Sequence, residues 1–324
     1  MSFVSRLIAA LLVLAGVSPV FADPAFPAKP ITVVVPFPPG GSTDRVTRLI
    51  TQKLSEYTGQ PAIVQNRPGA AGAIAAQAVL SQPADGYTVF VGHVGTHAID
   101  PHLNAQVGFD ANRDFRPVTS FFSFHSILVV PASLPANNIK ELIAYAKKNP
   151  DKLNFGSSGN GSAPHLAGIL FNSVTGTDML HIPFKGGAPA VQSLIAGDTQ
   201  VIVGTSPVVL PQVRGGRVRP LAITTQERSD AIPNIMGMKE AGLADYNISF
   251  SFGLYAPMKT PPEDVKKIFD AAVKVLKRQD IRDKLATQGM DPLPNNSPNE
   301  FRLQNQREAP LWSKLIEASG AKVD

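Results

Sequence analysis

The sequence predicts an α/β protein of two lobes, and three observations carry that expectation. Strand-like and helix-like segments alternate through the first half of the chain, as a parallel sheet flanked by helices requires. The chain has 324 residues, and about 300 of them remain beyond the leader described below, enough for two domains of ordinary size. One turn also recurs. Val35-Pro36-Phe37-Pro38-Pro39-Gly40-Gly41 is echoed by Ile182-Pro183-Phe184-Lys185-Gly186-Gly187, each after a strand and before a helix with Val and Leu-Ile on its buried face. Shared turn chemistry accounts for the echo as well as two related lobes do.

The first strand covers 31–35, a β-branched run stopped by Pro36. A helix over 43–57 follows, with Val46, Leu49, Ile50 and Leu54 on one face, and Gly59-Gln60-Pro61 ends it. Residues 62–65 read as a strand, Arg67-Pro68-Gly69 as a turn, and 70–80 as a helix whose alanines pack closely on a sheet. Asp85-Gly86 turns the chain into a strand over 87–91. Residues 117–124 and 126–130 read as extended crossover segments, and 139–148 as a helix closed by Asn149-Pro150. Strands over 153–155, 179–183, 200–203 and 218–224 alternate with helices over 162–174 and 188–196. An extended return over 248–256 leads to terminal helices over 262–276, 280–288 and 298–318.

The N-terminus reads as an export signal. Arg6 supplies the charged start, 7–17 the apolar run, and Val20-Phe21-Ala22 a cleavage site after Ala22. The run is too short for a membrane span, which needs about 20 apolar residues, and Pro19 follows it. With no cysteine, disulfides and a lipidated cysteine are excluded, and an exported chain of this kind fits a bacterial periplasm. The net charge of +5 is scattered, with no basic run longer than pairs such as Lys147-Lys148. That pattern argues against nucleic-acid binding.

Three loops carry ligand chemistry. Phe37 to Asp44 joins a strand to a helix N-terminus through Pro39, Gly40 and Ser42, and such a turn points N–H groups where the helix dipole favours an anion. Asp44 can cap the helix, contact a ligand, or do both. FGSSGNGSAPH, from Phe155 to His165, again joins a strand to a helix. It offers hydroxyl and amide groups at Ser157, Ser158, Asn160 and Ser162 and close backbone approach at Gly159 and Gly161. It reads as a polar ligand loop or as a plain capped turn. GHVGTHAIDP carries His93 and His97, and His102 follows it directly; the three could bind zinc, although Gly95 interrupts a helix and a Gly/Thr loop facing a cleft fits better. Thr205-Ser206-Pro207 is a fourth candidate or a simple turn. A hydrolase built on Ser158 and His165 lacks the G-x-S-x-G elbow, because position 160 is Asn160. No nucleotide fingerprint appears, since Gly159 and Gly161 lead to Pro164.

These residues belong to a longer pattern. KPITVVVPFPPGGSTD, Gln65-Asn66-Arg67-Pro68-Gly69 with Ala70-Ala71-Gly72, Pro83-Ala84-Asp85-Gly86-Tyr87-Thr88, GTHAI, DFRPV, LNFGSSGNGSAPHLAG, HIPFKGGAPAV and FGLYAP follow one another along the chain. In order and spacing the chain resembles the periplasmic solute receptors of tripartite tricarboxylate transporters, also called the Bug family. The resemblance implies a type II periplasmic-binding-protein fold, two α/β lobes joined by crossing strands that close on a small carboxylate. The lobes expected are 23–123 with 248–324, and 124–247.

The resemblance also implies that main-chain N–H groups and waters hold the ligand. The matching positions are Phe37, Pro39, Gly40, Ser42 and Asp44 from one lobe, and Ser158, Gly159, Gly161, Ser162 and His165 from the other. Thr96 and Phe252 are weaker carry-overs, and Ser206 joins the candidate set from the turn after the strand over 200–203. It implies no cofactor, no catalysis, a monomer, and integral membrane transporter subunits or a signalling protein as partner. Many family members carry an acidic residue before the turn at Ser206, where this chain reads Val203-Gly204-Thr205. The missing carboxylate argues against an amine-bearing ligand; a bound α-amino acid with its ammonium on protein groups would overturn that. The main alternative is an exported serine hydrolase using Ser158 and His165.

Overall fold

The computed structural model describes residues 26–69, 72–93, 109–160, 162–292 and 297–319. The leader with Ala22, and Thr96, His97, His102 and Gly161, lie outside the described residues. Strand β1 (Ile31–Val35) leads into helix α1 (Ser42–Thr58), then β2 (Ala62–Asn66), α2 (Ala73–Leu80) and β3 (Thr88–His93). β1 is parallel to both β2 and β3. After the short helix α3 (Ala111–Asp114), β4 (Phe115–Phe124) runs to His125 and continues as β5 (Ser126–Pro131). The order then is α4 (Ile139–Lys148), β6 (Asn154–Ser157), α5 (Ala163–Thr175), β7 (Leu180–Pro183), α6 (Gly187–Ala196), β8 (Val201–Thr205), α7 (Ser206–Arg214) and β9 (Val218–Ile223). The chain returns through β10 (Phe250–Pro257), α8 (Pro262–Leu276), α9 (Gln279–Ala286), β11 (Met290–Pro292) and α10 (Pro298–Ser319).

Two sheets result, with strand orders β11-β4-β10-β3-β1-β2 and β7-β6-β8-β5-β9. The chain passes from the first to the second at His125 and comes back between β9 and β10, so the two-lobed α/β architecture stands. β5 and β10 are buried along their whole length, which fits apolar strands covered on both faces. The apolar core continues between the lobes: Trp312 of α10 packs on Phe250 with ring centroids 5.0 Å apart, in the same buried cluster as Phe155 and Phe171. Gly168 on α5 lets the helix lie directly on β6, because a Cβ there would come within 2.3 Å of the Phe155 ring.

The clearest departure from expectation is α7. The sequence leaves residues 205–207 as a candidate loop or a simple turn, and 206–214 form a helix instead. Pro207 sits in the first turn, where a missing N–H costs nothing, and the burial of Val209 and Leu210 outweighs Pro211 in the interior. α3 and β11 were not anticipated either. α2 starts at Ala73, three residues later than the pattern implied, after Gly72 in a left-handed conformation.

Candidate functional site

Strand register fixes which edge of each sheet carries the loops. In the first sheet Phe252 pairs with His93 and with Phe122, and Phe250 pairs with Phe124, one residue before the crossing at His125. In the second, Ser126 at the start of β5 pairs with Thr205, the end of β8, while β6 runs parallel to β8. The loops after β1, β6, β7 and β8 therefore all leave the edge that faces the crossing.

The helices that begin at that edge differ from the others. α2, α5, α6 and α7 have no side-chain cap and no acidic residue in the first turn. Helices that begin elsewhere are compensated. Asp110 caps α3, Asn138 caps α4, Ser297 accepts the Glu300 N–H at the start of α10, and α8 carries Glu263 and Asp264 in its first turn. The N-termini of α2, α5 and α6 thus bring uncapped donors and dipoles to one side of the fold, whereas α7 begins at the buried Ser206, whose N–H donates to the His125 carbonyl at 2.8 Å.

α1 is the informative exception, since Asp44 lies in its first turn. Its carboxylate is buried and fully engaged. It accepts the Gly40 N–H at 2.9 Å, the Asn66 amide at 2.8 Å and the Arg48 Nε at 3.0 Å. Asn66 also donates to the Phe37 carbonyl at 3.0 Å, and Arg48 to the Asn66 side chain at 3.0 Å. Burial pushes the Asp44 carboxyl up; Arg48, the Gly40 N–H and Asn66 outweigh it and hold it below the ordinary carboxylate value. Asp44 therefore shapes the first loop from beneath, with Arg48 neutralising its charge. Gly40, at φ +80, makes the turn that Asp44 closes. Phe37, Pro39, Gly40 and Ser42 are at least partly exposed along the loop's outer side.

Phe252 is nearly buried and forms the floor beside that loop. Its ring is 5.8 Å from Phe37, 5.3 Å from Phe122 and 5.1 Å from Phe124. On the second loop, Ser158, Gly159 and Ser162 are partly exposed. The Ser162 hydroxyl donates to the Gly159 carbonyl at 2.6 Å, so this residue ties the turn and leaves the helix donors uncapped. His165 is buried, its ring stacked on His181 at 3.8 Å, so it supports the loop from inside. Burial holds its imidazole below the usual value.

Ser206 lies elsewhere than expected. It is fully buried, and its hydroxyl donates to the Gly289 carbonyl at 2.7 Å, which places it in the packing between lobes and away from the loop surface. The buried Ser157 lies 2.6 Å from His181 Nε2. Sequence reasoning missed Arg48, Asn66 and His181 as parts of the site. The position of Asn66 at the loop-bearing end of β2 was the available signal. Among the described residues no group of three or more His, Asp or Glu is placed to hold a metal, and His97 and His102 are outside that set.

A model of the tripartite tricarboxylate transporter family receptor matches residues 46–321. The chain belongs to that family. BugT of Bordetella pertussis is 33% identical over 311 residues, 95% of each chain. The R. palustris protein Rpa4515, solved with adipate, is 34% identical at a TM-score of 0.82, covering 92% of this chain and 99% of that one. MatC of Rhodopseudomonas palustris, solved with malate, is 32% identical at a TM-score of 0.78, covering 90% and 100%. As a receptor of this family the protein works in the periplasm and is no enzyme, and nothing in the geometry favours a serine hydrolase using Ser158 and His165.

Proposed function

We propose that the protein captures a small organic acid by its carboxylate, held by main-chain N–H groups of the loop from Phe37 to Ser42 and of the loop from Ser158 to Ser162. One observation carries this reading: helix N-termini without cap or acid converge on the loop-bearing edge, while those elsewhere are compensated. Closure of the lobes about the crossing removes water from the carboxylate and strengthens its charge-assisted hydrogen bonds. The acid's body rests near Phe37 and Phe252. Thr96 and Gly161 belong to the proposed contact set through the family resemblance. The receptor is exported with cleavage after Ala22 and, as a monomer, hands its ligand to integral membrane transporter subunits. The adipate and malate found in relatives support a dicarboxylate as the first class to test.

The test is thermal unfolding of the stripped, mature protein with adipate, malate, succinate or benzoate. At 100 times its dissociation constant a ligand stabilises by about 2.7 kcal/mol, several degrees for a chain of this size. A rise with one or two acids is expected, and its loss in Gly159→Ala would tie it to the loop. No shift with any carboxylate would overturn the reading.

A further inference from the structure

Two imidazoles lie beneath the second glycine loop, and main-chain carboxylate binding gives them no direct role. The register pairs Phe155 with His181 across β6 and β7, and Ser157, two residues on, shares their face of the sheet. The His181 ring stacks on Phe155 at 4.9 Å and on His165 at 3.8 Å, in each case within 26° of parallel. His165 is itself held in the first turn of α5. The ring is thereby oriented with Nε2 at 2.6 Å from the Ser157 hydroxyl.

That hydroxyl is fully buried and has two further partners, both on one residue. The Gly159 N–H donates to it at 3.1 Å, and the Gly159 carbonyl lies 3.0 Å away. A hydroxyl has one proton and two lone pairs. All three contacts are satisfied at once in one arrangement. His181 Nε2–H and the Gly159 N–H donate to the oxygen, and the hydroxyl donates to the Gly159 carbonyl. The opposite tautomer would take the hydroxyl proton for the imidazole and leave the carbonyl contact without one. Gly159 is at φ +130, which glycine adopts freely, so its hydrogen bonds choose the setting: its N–H and its carbonyl both meet the Ser157 oxygen, and the carbonyl also accepts the Ser162 hydroxyl and N–H.

We propose that His181 is a positioning residue for the ligand: through Ser157 it sets the turn at Gly159, and with it the direction of the N–H groups that meet the carboxylate. Burial and the neighbouring His165 push His181 down to about 4, which keeps the ring neutral and suits the Nε2–H form. This inference rests on the carboxylate reading above, and its test separates the two.

His181→Phe keeps a stacking ring without a donor, His181→Gln restores an N–H at the same reach, and Ser157→Ala removes the acceptor. The probe is whichever of adipate, malate, succinate or benzoate raises the wild-type melting temperature most. We expect His181→Phe and Ser157→Ala each to weaken its binding about tenfold, the double variant to be no weaker than either single, and His181→Gln to stay within about threefold of wild type. In the free protein the Gly159 amide should exchange slowly in wild type and His181→Gln and faster in His181→Phe, and 15N spectra should show His181 protonated at Nε2. Wild-type affinity in folded His181→Phe, losses that multiply in the double variant, or a proton on Nδ1 would each overturn the proposal. If no acid binds the wild type, the carboxylate reading fails and the amide-exchange comparison alone decides this one. If His181→Phe does not fold, Ser157→Ala with the same exchange measurement takes its place.

Discussion

His125 Nε2 lies 2.6 Å from the Asp291 carboxylate, across the seam where the chain passes from one sheet to the other. His125 is the single residue between β4 and β5, and Asp291 belongs to β11, the edge strand of the first sheet. Ser229, from the segment after β9, donates to the same carboxylate at 2.9 Å. Burial pushes the Asp291 carboxyl up; the hydrogen bond and charge of His125, with Ser229 and the Ala231 N–H, outweigh it and hold it below 3.8. Asp291→Ala leaves buried donors without an acceptor, and a loss of about 1–3 kcal/mol at pH 7 is expected. A depressed carboxyl contributes stability above its unfolded value, and that stability disappears as pH falls through the folded value. The difference in melting temperature between wild type and variant should therefore close below about pH 4. Equal melting temperatures at pH 7 would show that the seam does not depend on this pair.

The first loop offers a test of order. Asp44 accepts from three groups at the centre of its network, whereas Arg48 is half exposed and reaches it from outside. Asp44→Ala frees the Gly40 N–H and the Asn66 amide together, so ligand binding should fall at least about tenfold, with about 1–3 kcal/mol of stability. Arg48→Ala should cost less on both counts, because an exposed ion pair contributes about 0–1 kcal/mol. Calorimetric titration and thermal unfolding of the two variants check the ranking. A larger effect from Arg48 would make the charge, rather than the loop geometry, the dominant contribution.

How much of this was legible in the sequence depended on range. Pro36, the Gly40-Gly41 turn and the spacing of Val46, Ile50 and Leu54 are local signals, and β1 with its helix appears where they pointed. The network under the first loop is not local: Asn66 reaches Asp44 because β1 and β2 pair in parallel with Val35 beside Asn66, a register that no residue pattern declares. Ser157 and Ser158 differ by one position, and alternation along a strand sends neighbours to opposite faces. Both serines read as polar groups of the loop, but no local signal says which is buried or that the buried one meets His181. Ser206 was misplaced for a related reason, because the helix it begins was hidden by Pro207 and Pro211 and its partner Gly289 is far along the chain.

Gly159 separates conformational strain from crowding. A Cβ there would meet only the Phe184 carbonyl oxygen at 3.6 Å, an ordinary contact, yet φ is +130. Gly159→Ala should therefore cost about 1–3 kcal/mol through the backbone alone, and it should weaken ligand binding by redirecting the turn. Gly253→Ala makes the contrast, since its Cβ would fall 2.1 Å from the Phe301 ring. That change should destabilise through packing and leave affinity per folded molecule unaltered. Thermal unfolding paired with titration distinguishes them, and an unchanged affinity in Gly159→Ala would remove the turn from the binding site.

The stacked imidazoles make the last prediction, on pH. Burial lowers His165, and burial with the His165 charge lowers His181 to about 4, both from 6.5. Between those values the unfolded chain binds more protons than the folded one, so stability rises with pH across the window. It is fully present above about 6.5 and is lost progressively on acidification towards 4. His181→Gln removes one of the two groups that resist protonation. Its melting temperature should fall less steeply than that of wild type between pH 6.5 and pH 4.5, while the two curves converge in slope above about pH 7. Parallel curves throughout would mean that His181 takes up its proton as readily in the folded protein as in the unfolded chain, and that the stack beneath the loop carries no penalty for charge.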